Sequence, residues 1–545
     1  MPQTSEGQFY YGLYQTYGKN RVQYNKFKWN FYRFDRYDVY YYKNGKVVAE
    51  KAAEIVHKNM GQLERYLDAR LSERIQVLVF NSLTDLKQSN VNLNTDEAYN
   101  TGGVTHLVGS KMFVYYDGDY AHLEQQIRKG LTDLILQSQI YGGFTESIKN
   151  STLLNLPSWF MEGAISYIAN PWTTEMDQYV RDGIATGKYS RLNVLTGDDA
   201  VYAGHAIWRY IAQTYGTPVV KNVIYMTVIN RSIDDGFLYV LGVDLEELIR
   251  GWENYYRQIY APAFKLQDEL PGEQVVKGHK NQKFGQLKIT NDGRYVAYNT
   301  NKLGEYKVYI YDAQRDKKER ILKGGFKISQ NTDYSFPVLA WNPNNTTLAI
   351  VTEEKGFIWL YFYDVEKRKL QKKSLFGFEK VLSMNYSSDG KRMVMSAIKG
   401  GRSDIYEYTL TSTTIKPLTQ DEWDDHNPAY LKGDQQIVFT SNRLHDTIKY
   451  NEATMDFSPF HDLFVMREIR ELKKRDKSKT MLWRLTQSPY VHETYPQEYE
   501  NGYIQYLSDD LGTRNQYLIG IDSTVAYVDT TTHYDYLFNK YQVTQ

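Results

Sequence analysis

From about residue 283 onward the chain is written in a repeated unit of roughly 45 residues, and this feature limits its fold more than any other. The first copy runs through the turn Asn291-Asp292-Gly293, the strand-like run Tyr295 to Tyr298, and then Lys307 to Tyr311 with Asp312. The second has Asn342-Pro343-Asn344, Leu348 to Val351, and Trp359 to Tyr363 with Asp364. The third has Ser388-Asp389-Gly390, Met393 to Met395, and Asp404 to Thr409. A fourth passes through Gly433-Asp434, Ile437 to Thr440 and, after a long insertion, Leu463 to Met466. The fifth has Asn501-Gly502, Tyr503 to Tyr506, and Gln516 to Gly520 with Asp522. Short strands at this spacing are the signature of propeller blades, because each small sheet must bury its faces against its neighbours. An irregular β-sandwich is the alternative. Propellers commonly have about six to eight blades. Five copies therefore imply either a weak blade hidden in the pattern or a fragment of a longer protein.

Residues 1–265 read differently. A β-rich run at Val39 to Tyr42 ends in the turn pair Asn44-Gly45. Apolar residues at Ala52, Ile55, Val56, Met60, Leu63 and Leu67 then recur with the helical period. Ile75 to Phe80 and Met112 to Tyr116 predict buried strands. Helices are predicted at Leu123 to Ile140, Ser158 to Asn170, Glu175 to Thr186, Gly204 to Tyr215, Pro218 to Val228 and Asp244 to Tyr256. Pro271, Gly272 and the charges around them mark a linker. The predicted organisation is an α+β domain over 1–265, a linker over 266–282 and an all-β propeller over 283–545, either with a weak blade hidden in the pattern or incomplete in this chain.

Lys plus Arg equals Asp plus Glu at 65 each, so net charge gives no reason to expect nucleic acid as a partner. The chain has no cysteine, which excludes thiolate catalysis, disulfides and Cys-ligated metals. Tyrosine occurs 50 times and suits half-exposed sheet faces and interfaces. No run approaches the roughly 20 apolar residues of a membrane helix, and no signal peptide is evident. No Gly-x-Ser-x-Gly elbow or phosphate-binding Gly-rich loop is present.

Two segments carry a likeness to a known family. Gln126 to Leu136 and Leu156 to Tyr167 resemble the active-site pair of peptidase MA-like, gluzincin-type domains. These occur in large secreted or periplasmic proteins of Bacteroidetes, often followed by a TolB-like or WD40-like propeller. Gly18 to Tyr24, Tyr37 to Tyr41, Gly142-Gly143-Phe144 and Trp208 to Ala212 follow the same order, so the resemblance covers about residues 10–260 plus the repeats. It implies a zincin-like N-terminal fold. Active members place His-Glu-x-x-His on a helix, with a third zinc ligand from the glutamate of Trp-Phe-x-Glu-Gly. On that pattern Lys129 stands at the first histidine, Gly130 at the catalytic glutamate and Asp133 at the second histidine, while Glu162 keeps the third ligand position.

A zinc hydrolase needs about three protein ligands and a carboxylate to take a proton from water. Lys129 repels a divalent cation, and Gly130 has no side chain. The expectation is a degenerate site with no metal and no cofactor, filled by a charge network of Lys129, Asp133 and Glu162. A shifted site using His122, Glu124 or His205 is the alternative; His205 is expected at a helix start. The insertion at Arg467 to Lys479 is expected to be a solvated loop or extended hairpin. Asp421, Asp424, Asp425, Asp509 and Asp510 are expected to be turn residues.

The resemblance implies a noncatalytic protein-interaction or scaffold subunit, a pseudo-metallopeptidase of periplasmic or outer-membrane assembly or export machinery. Its expected partners are outer-membrane or exported proteins, with peripheral membrane association and no nucleic acid. A divergent zinc metallopeptidase or other hydrolase with a propeller accessory domain is the competing expectation.

Overall fold

The computed structural model describes residues 3–5, 23–89, 106–108, 110–141, 156–262, 276, 278, 282–327, 332–445, 457–470, 478–528 and 532–544. Gly142, Gly143, Phe144, Gly18 to Val22 and residues 446–456 lie outside them. The chain divides into two compact units, one of residues 1–116 with 121–269, the other of residues 117–120 with 270–545.

The first unit holds a mixed sheet of β1 (Gln3–Ser5), β2 (Trp29–Arg33), β3 (Tyr37–Tyr41), β4 (Ile75–Phe80), β5 (His106–Val108) and β6 (Lys111–Tyr115), in the order β1-β2-β3-β4-β6-β5. The pairs β3/β4 and β4/β6 are parallel, and the others antiparallel. Helix α1 (Lys46–Leu67) makes the crossover from β3 to β4. It starts directly after the Asn44-Gly45 turn and buries the predicted apolar stripe. Asp68 ends it in the left-handed region, φ 53°, with its N–H on the Glu64 carbonyl. A short α2 (Leu83–Gln88) is capped by Ser82 Oγ, which accepts from Asp85 N.

Then come α3 (Tyr120–Tyr141), α4 (Ser158–Ala169), α5 (Thr174–Thr186), α6 (Asp198–Tyr215), α7 (Pro218–Asn230), α8 (Ile233–Leu241) and α9 (Leu245–Tyr260). Helix α8 was missed in the sequence because Ile233 to Leu241 is too short to show a clear period; its Ser232 cap bonding Asp235 N is the signal that marks it. Helix α6 begins six residues before the expected Gly204, at the acidic pair Asp198-Asp199.

Among the described residues the second unit contains five four-stranded antiparallel sheets, each a simple meander in chain order, spanning 283–324, 338–374, 380–417, 425–484 and 493–542. This is β-propeller architecture. The turns form as their residues dictate: Asp292 Oδ1 accepts from Thr290 Oγ1 at 2.6 Å and Arg294 N at 3.1 Å, and Asp389 does the same for Ser387 and Lys391. Apolar layers lie between successive blades. Val308 and Ile310 pack with Leu339 and Ile350, Val351 and Leu360 with Val381 and Met395, Ile405 with Phe439, and Val438 and Val465 with Ile504 and Tyr506. The insertion in the fourth blade is a long hairpin, its strands Phe457–Arg470 and Ser478–Arg484 paired out to Arg470 opposite Ser478.

Candidate functional site

Helix α3 is tied down by its polar side chains. Gln126 Oε1 accepts from Tyr115 N at 3.0 Å and its Nε2 donates to Tyr115 O at 2.9 Å, so one amide completes the pairing of β6. Arg128 donates to the carbonyls of Ala169 (2.7 Å) and Ile168 (3.1 Å) at the end of α4, and to Asn59 Oδ1 on α1 (2.5 Å). A cation on the last carbonyls of a helix satisfies orphan acceptors and opposes the helix dipole. Helix α4 crosses α6 through two glycines: a Cβ on Gly163 would lie 2.4 Å from Gly204 Cα. Glycine directly after Glu162 is therefore a packing requirement.

These constraints bring Lys129, Asp133 and Glu162 into mutual electrostatic range, joined by Asp198 from the first turn of α6. Gly130, beside Lys129, is buried. Glu162 is buried, and its Oε2 has no hydrogen-bond partner among the described residues. Burial pushes its carboxyl up to about 7; Asp133 and Asp198 add to the rise, while a Ser158 hydrogen bond and Lys129 oppose it. Burial likewise lifts Asp133 to about 6 against a hydrogen bond from Gln137. Lys129 is pulled down by burial and held up first by Asp198, then by Glu162.

The arrangement adds two partners to the expected network. Asp133 accepts from Gln137 Nε2 at 2.9 Å, and the acid acting most on Lys129 is Asp198. Helical side chains lean toward the N-terminus, so Gln137 reaches back to Asp133. Asp198 was missed; its signal was the Gly197-Asp198-Asp199 start of a helix.

The residues of the alternative site are engaged separately. His122 packs edge-on against Tyr115, and Glu124 accepts from Asn59 Nδ2 at 3.0 Å. His205 lies within α6, not at its start, with Nδ1 2.9 Å from Ser166 Oγ. Burial, then Arg209 and Lys129, pulls its pKa down to about 3, so it is a neutral core imidazole.

The second unit has two further candidates. An axial pocket of about 920 Å³ is lined from all five blades, by residues including Lys288, Trp341, Asn385, Tyr430 and Gln497. Deeper in the unit, Asp404, Asp421 and Asp425 are each able to place a carboxylate oxygen within 4.8 Å of the others. Arg443, fully buried, donates to both oxygens of Asp425 at 2.7 Å and to Asp421 Oδ2 at 3.1 Å. Asp424 accepts from Asn442 Nδ2 at 2.9 Å and from Tyr120 N at 2.8 Å. Asp424 and Asp425 are thus buried polar-network residues, which corrects their expected role as turn positions; Asp421 joins the same network but also caps a bend as expected, its Oδ1 accepting from Trp423 N at 3.1 Å. The signal was cross-strand: Asp425 pairs with Ser441, and Arg443 lies two residues on, on the same face. Burial and the neighbouring acids raise Asp404 to about 8 and Asp421 to about 7. Buried and crowded by neighbouring acids, Asp404 keeps most of its proton at neutral pH and Asp421 about half of its. Asp509 does sit in a turn, its carbonyl accepting from Gly512 N at 2.9 Å.

No family model matches the chain. The Tol-Pal system protein TolB of Ruthia magnifica subsp. Calyptogena magnifica is 28% identical over 149 residues, which is 27% of this chain and 31% of that relative. The chain thus spans less than a third of that relative's length. Among solved structures, TolB from Acinetobacter baumannii matches at 14% identity and TM-score 0.30, over 43% of this chain and 53% of that one. The β-propeller domain of the trilobed protease from Pyrococcus furiosus matches at 12% identity and TM-score 0.28, over 49% of this chain and 97% of that one. Part of the sequence is TolB-like, and the C-terminal sheets have the propeller layout.

Proposed function

We propose that this protein is a noncatalytic interaction subunit of a bacterial envelope, its first unit a peptidase MA-like body without catalytic groups and its propeller a binding platform for membrane or exported proteins. The observation that carries this reading is the α3–α4 cluster. Where a gluzincin needs two imidazoles and a general base, this chain has the amine of Lys129, no side chain at Gly130, and the buried carboxyls of Asp133 and Glu162, raised to about 6 and about 7. A cationic amine in place of an imidazole, with no general base beside it, disfavours both zinc binding and water activation. Among the described residues, the carboxylate group close enough to share a cation lies instead around Arg443.

The TolB-like stretch supports a periplasmic setting, since the relative is a Tol-Pal system protein. The open, polar and aromatic axial pocket suits contact with a polypeptide. Cross-linking in the native envelope followed by mass spectrometry tests the proposal. The expected result is recurrent cross-links from propeller residues to one or a few membrane or exported proteins. Zinc-dependent cleavage of peptide libraries by the purified chain contradicts it.

A further inference from the structure

The pocket of about 920 Å³ in the second unit lies within the size range of ligand sites, and its walls repeat from blade to blade. Strand register puts Lys288, Ala340, Asn385, Ala429 and Gln497 at one level of the five inner strands, opposite Ala297, Ala349, Val394, Val438 and Gln505. The next level holds Ile289, Trp341, Tyr386, Tyr430 and Glu498, all of which line the pocket. One level is thus aromatic on three blades, and the level beside it carries one ammonium, two amides and two methyl groups.

Lys288 reaches its level through an irregularity. From Gly285 opposite Asn299, an unbroken ladder would set Lys288 opposite Val296; the bulge at Gln286 and Leu287 sets it opposite Ala297 instead. A shift of one residue exchanges the faces of a strand, so the bulge turns Lys288 to its present side. Gln286 takes a left-handed φ of 46° there, which costs energy in a residue other than glycine. The Trp341 indole Nε1 donates to the Lys288 carbonyl at 3.0 Å and fixes the strand against the next blade.

The ammonium placed in this way lacks an anion. Lys288 is half-buried, and among the described residues its Nζ has no hydrogen bond or ion pair. Burial lowers its pKa, and no neighbouring acid opposes the change. Two acids line the pocket, and both are engaged elsewhere. Asp434 accepts from Ser388 N at 2.9 Å and Arg392 Nη2 at 3.3 Å, and Glu498 from Lys432 N at 2.9 Å. Two other buried cations of this unit are matched, Lys380 by Asp333 at 3.4 Å and Arg443 by Asp421 and Asp425.

We propose that this pocket binds a polypeptide through a carboxylate, with Lys288 Nζ as its counter-ion and Trp341, Tyr386 and Tyr430 as the surfaces against which the adjoining residues pack. The inference rests on the propeller being a polypeptide-binding platform and names the group that it recognises. One ammonium balances one negative charge, and the carboxylates of Asp434 and Glu498 disfavour a dianion such as phosphate. Aromatic and amide side chains suit the apolar and amide parts of a peptide.

Fluorescence anisotropy with three pools of random decapeptides, each carrying an uncharged dye at the N-terminus, tests this on the purified chain. One pool has free C-termini and no Asp or Glu, the second is C-terminally amidated and contains Asp and Glu, and the third is amidated and contains neither. At least one carboxylate-bearing pool should bind ~10-fold or more tightly than the third, and which one does so assigns the carboxylate to a chain end or a side chain. Lys288→Met keeps the stem without the charge and should remove the preference; Lys288→Arg should retain it. Equal binding of all three pools overturns the inference and leaves the platform reading standing. A preference that survives in Lys288→Met, displacement by inorganic phosphate where acetate has no effect, or binding of none of the pools also overturns it. The envelope cross-links test the platform reading separately.

Discussion

Gly163 and Gly204 meet backbone to backbone where α4 crosses α6: a Cβ on Gly204 would lie 1.9 Å from the Trp159 carbonyl oxygen and 2.8 Å from Gly163 Cα. The crossing sets Glu162 facing α3, and it places His205 against Ser166 and Trp208 Nε1 on the Phe160 carbonyl at 2.9 Å. Gly204→Ala should therefore destabilise the first unit by ~3 kcal/mol or more, because backbone and not a side-chain tip must move. Gly251→Ala is the control. Its Cβ would meet Tyr210 Oη, the far end of a side chain, and its cost should stay within ~1 kcal/mol. Urea unfolding of both variants reads the difference.

Asp404 is held protonated near neutrality, with a pKa of about 8 in the fold. A carboxyl raised in this way contributes stability that is complete below its unfolded pKa, near 4, and is lost as pH climbs through about 8. Asp404→Asn keeps the shape and removes the titration. The variant should melt within ~2 °C of the parent at pH 5 and at least ~5 °C above it at pH 9. Thermal scans across that range check it, and parallel slopes for the two proteins would refute it.

The acid limb has a different origin. His461 is stacked on His426 at 4.9 Å and on His492 at 6.1 Å, and burial followed by these two rings holds its pKa well below the usual value. A histidine depressed in the fold gives stability that is complete above about 6.5 and lost as pH falls below it. His461→Phe preserves the stack without the proton. Its melting temperature should exceed the parent's at pH 5 and match or fall below it at pH 8.

The blades were legible in the sequence because their turns are chemically explicit. The Asp292 and Asp389 turns recur with glycine one residue on, and Tyr295 to Tyr298 and Leu348 to Val351 follow at strand period. The glycine after Glu162 in Trp159-Phe160-Met161-Glu162-Gly163 was legible too, and the structure gives its reason in the close approach of Gly163 to Gly204. What the sequence hid were relations between distant segments. Asp198 reaches Lys129 only because α6 starts where it does, and Arg443 finds Asp425 only through strand register. A run such as Asp421 to Asp425 reads as a turn until the cation that buries it is located on another strand.

The noncatalytic reading rests on Lys129, Gly130 and Asp133, and zinc stoichiometry tests it most directly. The purified chain, supplied with zinc and then washed, should hold far less than one zinc per molecule and cleave no peptide. Lys129→His with Asp133→His, leaving Gly130 alone, should gain about one zinc that is lost again on adding Glu162→Ala, as three ligands on α3 and α4 require. About one zinc per unmodified chain, lost together with peptide hydrolysis in Glu162→Ala alone, would contradict the account.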